Sequence, residues 1–206
     1  MVKQNVLLII VIAITGSMIL FISTDQFQAF TAEQARRASI TNNTPLLTDV
    51  TFQDSEGDRI KLSDYQGKYV LATYMYTACG DVCPAIERNF LKIYKGLPEQ
   101  MVDDELQLLS ISFDPVRDTP EQLQHAEEVF QADGENWKMV RIPDQQQLNL
   151  LLEQSGVIVI PAEDGFEHNA AFYLIDPNGR LVRIFNYDLP NQVVEIVSDI
   201  VGAKDG

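Results

Sequence analysis

The 206-residue sequence holds two cysteines, two histidines and one tryptophan, and its acidic residues outnumber its basic ones by 30 to 15. Each scarcity excludes something. Two cysteines cannot build the disulfide framework of a small secreted scaffold, and a chain that is 46% hydrophobic can fill a core without one. A net charge of −15 removes the basic footprint that nucleic acid requires, so no nucleic-acid partner is expected. Acidity on this scale suits solubility, cationic partners or metal ions. Internal repeats and low-complexity runs are absent too, so the domain is not a repeat array.

Charge is also missing from one long stretch. Lys3 is the only charged side chain before Asp25, and Val6 to Ile22 (VLLIIVIAITGSMILFI) is an uncharged block of 17 residues. That length lies at the short end for a bilayer-spanning helix and is long for the apolar part of a signal peptide. Neither Phe21-Ile22-Ser23 nor Phe30-Thr31-Ala32 makes a good small-residue cleavage site, and no cysteine stands there for lipid attachment. The expectation is an uncleaved single-pass transmembrane anchor over residues 1–23. Lys3 before the block then places the N-terminus in the cytoplasm and the rest on the non-cytoplasmic (periplasmic or equivalent) side. Residues 24–45 are polar and end in Thr-Asn-Asn-Thr-Pro, which reads as a linker with room for a helix near Ala32 to Ala38. Residues 46–206 form the domain.

What the domain does have is a strand that ends in both of its thiols. Tyr69 to Ala85 reads YVLATYMYTACGDVCPA: β-formers from Tyr69 to Tyr76, then Cys79 and Cys83 in a Gly/Asp/Pro segment, then a helical pattern. If the loop winds into the first helical turn, positions four apart share a face with Cα atoms roughly 6 Å apart. That is within disulfide range, and both sulfurs could equally be aimed at one ion. Buried small hydrophobes or a structural disulfide are the plainer readings. A disulfide closing so small a loop constrains the unfolded chain little, and the polar setting favours metal or redox use, both of which depend on the thiolate.

The remaining pattern is that of an α/β fold. Val50–Phe52 and Arg59–Leu62 flank a turn-rich stretch and predict a hairpin. Pro84 to Leu97 has helical spacing, Leu106 to Phe113 (LQLLSISF) is apolar enough for a central strand, and a helix from Thr119 to Phe130 takes Thr119 as N-cap. The helix buries Leu123, Ala126, Val129 and Phe130 in this reading. Trp137 to Ile142 is a strand, Gln145 to Gln154 a helix closed by Gly156. Ala171–Ile175 and Leu181–Phe185 are strands joined at Asp176-Pro177-Asn178-Gly179, and Asn191 to Val201 is a last helix. Alternating strands and helices imply parallel pairing in the middle, with antiparallel strands added by the closing hairpin. The cysteine loop then lies at the C-terminal end of a central strand, where open α/β sheets place their ligands.

Of the two histidines, His125 falls off the apolar stripe of its helix and faces solvent. His168 ends the loop Pro161–Glu167, just before a strand that could neighbour the cysteine strand and bring the imidazole over the sulfurs.

Together, CGDVCP after an aromatic strand, ISFDPVRDTPEQL after the next, and HNAAFYLIDPNGRLV near the end resemble the Sco/SenC family of membrane-anchored, thioredoxin-like proteins. The resemblance spans about Leu46 to Val201 and includes the anchor. Gly80 departs from it, standing where a proline is usual. The resemblance implies a thioredoxin-like mixed sheet flanked by helices, copper as cargo, and Cys79, Cys83 and His168 as its ligands. It also implies delivery of copper to the binuclear copper centre of cytochrome c oxidase, or reduction of that centre's thiols, so the partner is a copper-receiving or thiol-bearing protein such as an oxidase subunit. Thiolates favour Cu(I), the imidazole also admits Cu(II), and zinc is the less favoured rival. Asp81 and Asp114 are candidate acids beside the site or for docking. The competing reading is a membrane-anchored thiol–disulfide oxidoreductase using Cys79 and Cys83. The redox motif of thioredoxins is one residue shorter, which counts modestly against it. A peroxidase of related fold is weaker still.

Overall fold

A computed structural model describes residues 12, 14–18, 32–80, 82–162 and 165–203, apart from the side chains of residues 32–35. The chain divides between Asn43 and Thr44 into two units. In the first, residues 14–18 are helical and helix α1 covers Ala32–Asn43, running past the expected Ala38 into the Thr-Asn-Asn end of the linker. The uncharged block Val6–Ile22 lies largely outside the described residues. Among the described residues no helix is long and apolar enough to cross a membrane.

The second unit begins with the expected hairpin, β1 (Thr51–Asp54) and β2 (Arg59–Lys61). Asp54 makes its turn: its carboxylate accepts from the N–H groups of Glu56 and Asp58, at 3.2 and 2.9 Å. There follow β3 (Tyr69–Met75), α2 (Cys83–Gly96), α3 (Glu99–Asp104), β4 (Leu106–Ser112), α4 (Pro120–Phe130), β5 (Trp137–Arg141) and α5 (Gln145–Ser155). The chain closes with β6 (Val159–Ala162), β7 (Gly165–His168), β8 (Ala171–Ile175), β9 (Leu181–Asn186) and α6 (Pro190–Gly202).

Seven strands form one mixed sheet in the order β2-β1-β5-β4-β3-β8-β9. β3 pairs parallel to β4 from Tyr69–Leu106 to Met75–Ser112, and β4 parallel to β5. On its other side β3 pairs antiparallel to β8, which makes a hairpin with β9. All seven residues of β4 are buried, so both faces of the sheet are covered. The polar ones in that strand are satisfied: Gln107 donates to the carbonyls of Glu135 and Asn136, Ser110 to Glu87, Ser112 to Asp118.

Helix α2 packs on the sheet through Ile86, Phe90 and Ile93, all without solvent exposure. Phe90 stacks on Phe172 of β8 (5.2 Å, 21°) and meets Trp137 of β5 edge-on at 5.4 Å. Burying a ring of this size contributes roughly 2–3 kcal/mol, so the helix that starts at Cys83 is fixed to the middle of the sheet. Helix α5 is set by both its ends. Asp144 accepts from the N–H groups of Gln146 and Gln147, at 2.9 and 3.0 Å, and Gly156 takes the left-handed conformation that stops the helix. Replacing Asp144 with alanine is expected to lower the unfolding free energy by about 1 kcal/mol, measurable by urea denaturation.

Two sequence expectations are corrected, and two details are new. Residues 161–162 and 165–167 lie not in a loop but in an antiparallel two-stranded sheet, β6–β7, whose last residue is His168. Helix α3 was not anticipated. Thr119 sits at the N-cap of α4, yet its side chain makes no capping hydrogen bond. Val129 is 57% exposed, because α4 buries Leu123, Ala126 and Glu127 instead. Glu127 earns that place by accepting from the Met139 N–H at 3.0 Å.

Candidate metal and redox centre

The loop that leaves β3 is held at its root by an acid. Asp118, fully buried, accepts from the Thr77 backbone N–H at 3.0 Å, from the Thr77 hydroxyl, and from Ser112 at the end of β4. The ends of two adjacent parallel strands are thereby tied together. The chain then turns, with the Cys79 N–H donating to the Tyr76 carbonyl at 3.2 Å, and enters α2 at Cys83. Pro84 follows in the first turn, where a missing N–H costs nothing.

The two thiols are not equivalent. Cys83 begins the buried stripe of α2 and is 3% exposed, whereas Cys79, ahead of the helix, is partly open to solvent. Both are free thiols, and the Cys83 N–H points at the Cys79 sulfur, 3.3 Å away. Burial pushes the Cys83 thiol well above its ordinary value, and the neighbouring Cys79 and the carboxyl of Glu87 add to this.

His168 comes from the other end of the sequence. β8 lies beside β3, so the residues just ahead of β8 return over the cysteine loop. There His168 Nε2 stands 3.5 Å from Cys83 Sγ. The ring packs edge-on against Phe113, at 5.0 Å between centres. Burial holds the imidazole below its ordinary value, opposed in part by the Asn169 backbone, so the ring is neutral at pH 7 and able to donate a lone pair. Its Nδ1 is buried and has no hydrogen-bond partner of good geometry among the described residues. Asn169 clamps the base of the β6–β7 arm, its side chain accepting from the Ile158 N–H at 2.6 Å and donating to the Gly156 carbonyl at 3.2 Å.

Of the residues singled out from sequence, Cys83 and His168 are brought into contact, and Cys79 is joined to them through the Cys83 amide. Among the described residues no group of three His, Cys, Asp or Glu side chains already stands around one metal position. Asp81 lies outside the described residues. Asp114 is buried with its carboxylate paired to Arg117 of the same turn. His125 is exposed on α4, as its spacing indicated, with Glu128 3.9 Å away.

Two features escaped the sequence reading. One is an aromatic cluster around the imidazole: Tyr76, Phe113 and Phe166 pack against one another at 5.3 to 5.7 Å, and Arg117 lies over Tyr76 and Phe166. The other is Glu87, one helical turn beyond Cys83 and 1% exposed. Its Oε2 accepts from Ser110 Oγ at 2.8 Å, which in turn accepts from Trp137 Nε1 at 3.0 Å, while Oε1 is buried without a partner among the described residues. Burial pushes this carboxyl up to about 8, so at neutral pH it carries a proton. A charged residue on an otherwise apolar helical stripe, beside Ile86 and Phe90, was the available signal.

Comparison with known proteins agrees with this architecture. Residues 38–202 match the SCO1/SenC family model. A SCO1 protein homolog of Bacillus subtilis is 25% identical over 157 residues, 75% of this chain and 80% of that protein. The crystal structure of a SCO1/SenC family lipoprotein from Bacillus anthracis is similar with a TM-score of 0.67 and 26% identity, over 74% of this chain and 93% of that one. ScoI of Bradyrhizobium japonicum, whose structure contains bound copper, shares the fold with a TM-score of 0.65 at 23% identity, over 75% and 99% of the two chains.

Proposed function

The chain belongs to the SCO1/SenC family, and from that premise we propose that it is a copper carrier holding its cargo through Cys79, Cys83 and His168. The observation that carries this reading is the 3.5 Å approach of the His168 Nε2 to the Cys83 sulfur, across 85 positions of sequence. The donor set suits the metal. Two thiolates are soft ligands for Cu(I), and a neutral imidazole with an inward-facing nitrogen extends the set to Cu(II). Zinc would accept the same donors but is the weaker fit for a site that must release its metal. Cys79, the more open sulfur, is the one an incoming protein would meet first. The recipient is the binuclear copper centre of cytochrome c oxidase, through an oxidase subunit. The uncharged block after Lys3 supports a membrane anchor with the domain on the non-cytoplasmic side.

A second reading is favoured by the closeness of the Cys79 sulfur to the Cys83 amide. As an oxidoreductase, the Cys79 thiolate would attack a partner disulfide to give a mixed disulfide, releasing one partner thiolate. Cys83 would then attack Cys79, giving an internal disulfide and a fully reduced partner, with both protons leaving from the two thiols of this chain.

Anaerobic copper titration of the reduced chain, with X-ray absorption to count neighbours, tests the first reading. It expects a single copper per chain with sulfur and nitrogen in its coordination sphere. Sulfur neighbours without nitrogen, or no binding, would overturn it. The same titration has a pH dependence with a defined sign. Cys83 is protonated in the free protein and must lose its proton to bind metal, whereas His168 is neutral already. Cu(I) affinity should therefore rise with pH, by about one decade per unit from Cys83 alone, between pH 6 and 8. A flat profile would mean that the buried sulfur is not a ligand.

A further inference from the structure

The arm that carries His168 shares no ladder with the main sheet; among the described residues β6 and β7 pair only with each other. Something else must set how far the imidazole stands from the sulfurs. Phe166 lies opposite Pro161, which has no N–H to give. The Tyr76 hydroxyl lies 3.5 Å from the Phe166 carbonyl, to which it donates weakly, and it accepts from the Phe166 N–H at 3.3 Å. One side-chain hydroxyl thus stands in for a neighbouring strand. Gly165 makes the approach possible. A Cβ at that position would come within 2.5 Å of Oη, and its φ of +145° is one that other residues rarely adopt.

Tyr76 is attached at both ends of the site. Its backbone carbonyl receives the Cys79 N–H, and its ring, beneath Arg117, packs on Phe113 and Phe166, the first of which also touches His168. We propose that Tyr76 is a positioning residue whose hydroxyl latches the histidine arm to the cysteine loop and so sets whether the copper site has three donors or two. This inference rests on the copper-carrier reading. Without the latch the two sulfurs still serve Cu(I), while the imidazole that Cu(II) requires is within reach for only part of the time, which lowers Cu(II) affinity by that fraction.

The test compares Tyr76→Phe with the wild-type full chain, purified in detergent, and adds Gly165→Ala as a second way of prising the arm open. Without metal, amide hydrogen exchange at Phe166 should speed up about fivefold to tenfold in both variants, the range commanded by one hydrogen bond, with Leu174 in β8 unchanged. With metal, the Cu(II) dissociation constant should rise by about the same factor and the nitrogen hyperfine coupling in the Cu(II) electron paramagnetic resonance spectrum should weaken, leaving Cu(I) affinity within about twofold. Unaltered exchange at Phe166 in both variants would sink the latch and leave the carrier reading standing. Faster exchange in a chain whose wild type binds no Cu(II) would sink the carrier reading and leave the latch. Faster exchange with Cu(II) affinity and coupling unchanged would show that the hydroxyl steadies the arm without setting the donor count, and would overturn the proposal.

Discussion

Replacing His168 with alanine is expected to weaken Cu(II) binding by more than about a hundredfold, since even groups that merely support a metal ligand are worth ten to a hundredfold. The same change should leave Cu(I) binding within about tenfold, because two soft thiolates remain. Its effect on thiol–disulfide exchange should be smaller still, about threefold, since the rate there is governed by thiolate fraction and access, and the imidazole touches the buried sulfur rather than the open one. The pattern across the three assays separates the carrier from the oxidoreductase. An exchange defect equal to or larger than the Cu(II) defect, with copper affinity unaltered, would reverse the ranking of the two readings.

The second large effect concerns Glu87. Its carboxyl titrates near 8 in the folded protein because it is buried, against an ordinary value of 4.5. Between those values the folded chain keeps a proton that the unfolded chain has given up, so raising the pH favours unfolding. From this one group the unfolding free energy should fall by about 1.4 kcal/mol per pH unit from about pH 5 to 8, several kcal/mol in total. Glu87→Gln keeps the shape and the acceptor for Ser110 without the titration. Urea unfolding of the two proteins should therefore give similar stabilities at pH 5, with the glutamine variant pulling ahead as pH rises. A difference that stays constant from pH 5 to 9 would mean that the carboxyl ionises in the folded chain as it does in the unfolded one, and so is not buried there. The result bears on the site as well. An ionised Glu87 would oppose a thiolate at Cys83, one turn earlier on the same helix, so its proton favours the thiolate that metal binding requires.

The parts of this fold that could be read from residues alone are those where burial dictates composition. β3, β4 and β8 are buried on both faces and show as largely apolar runs. The turn Asp176–Gly179 shows because Asp176 accepts from the Asn178 and Arg180 N–H groups and Gly179 supplies a positive φ. The cysteines stood out by residue type, and the strand-to-helix setting placed them. What stayed hidden was decided by partners distant in sequence. The β6–β7 pair contains a proline, and half of its residues are exposed and none buried, so neither alternation nor β-propensity marks it; Tyr76, 90 residues earlier, adds to its hydrogen bonding. Glu87 reads as a surface charge until Ser110 and Trp137 are brought beneath it. Val129 reads as core, but Glu127 takes the inward place through a backbone donor on β5. The adjacency of β1 to β5, which puts the first hairpin at the far side of the sheet, has no local signature at all.

The clamp made by Asn169 has a consequence for how such an arm can change. It fastens the projection at its foot, on the residue immediately after the imidazole, and not at the Ala162–Gly165 pair at its other end. Residues added beyond that pair would lengthen the projection without shifting the ring. The Asn169 clamp and the Tyr76 contact thus both hold the stretch from Gly165 to Asn169, and length added beyond it leaves both in place.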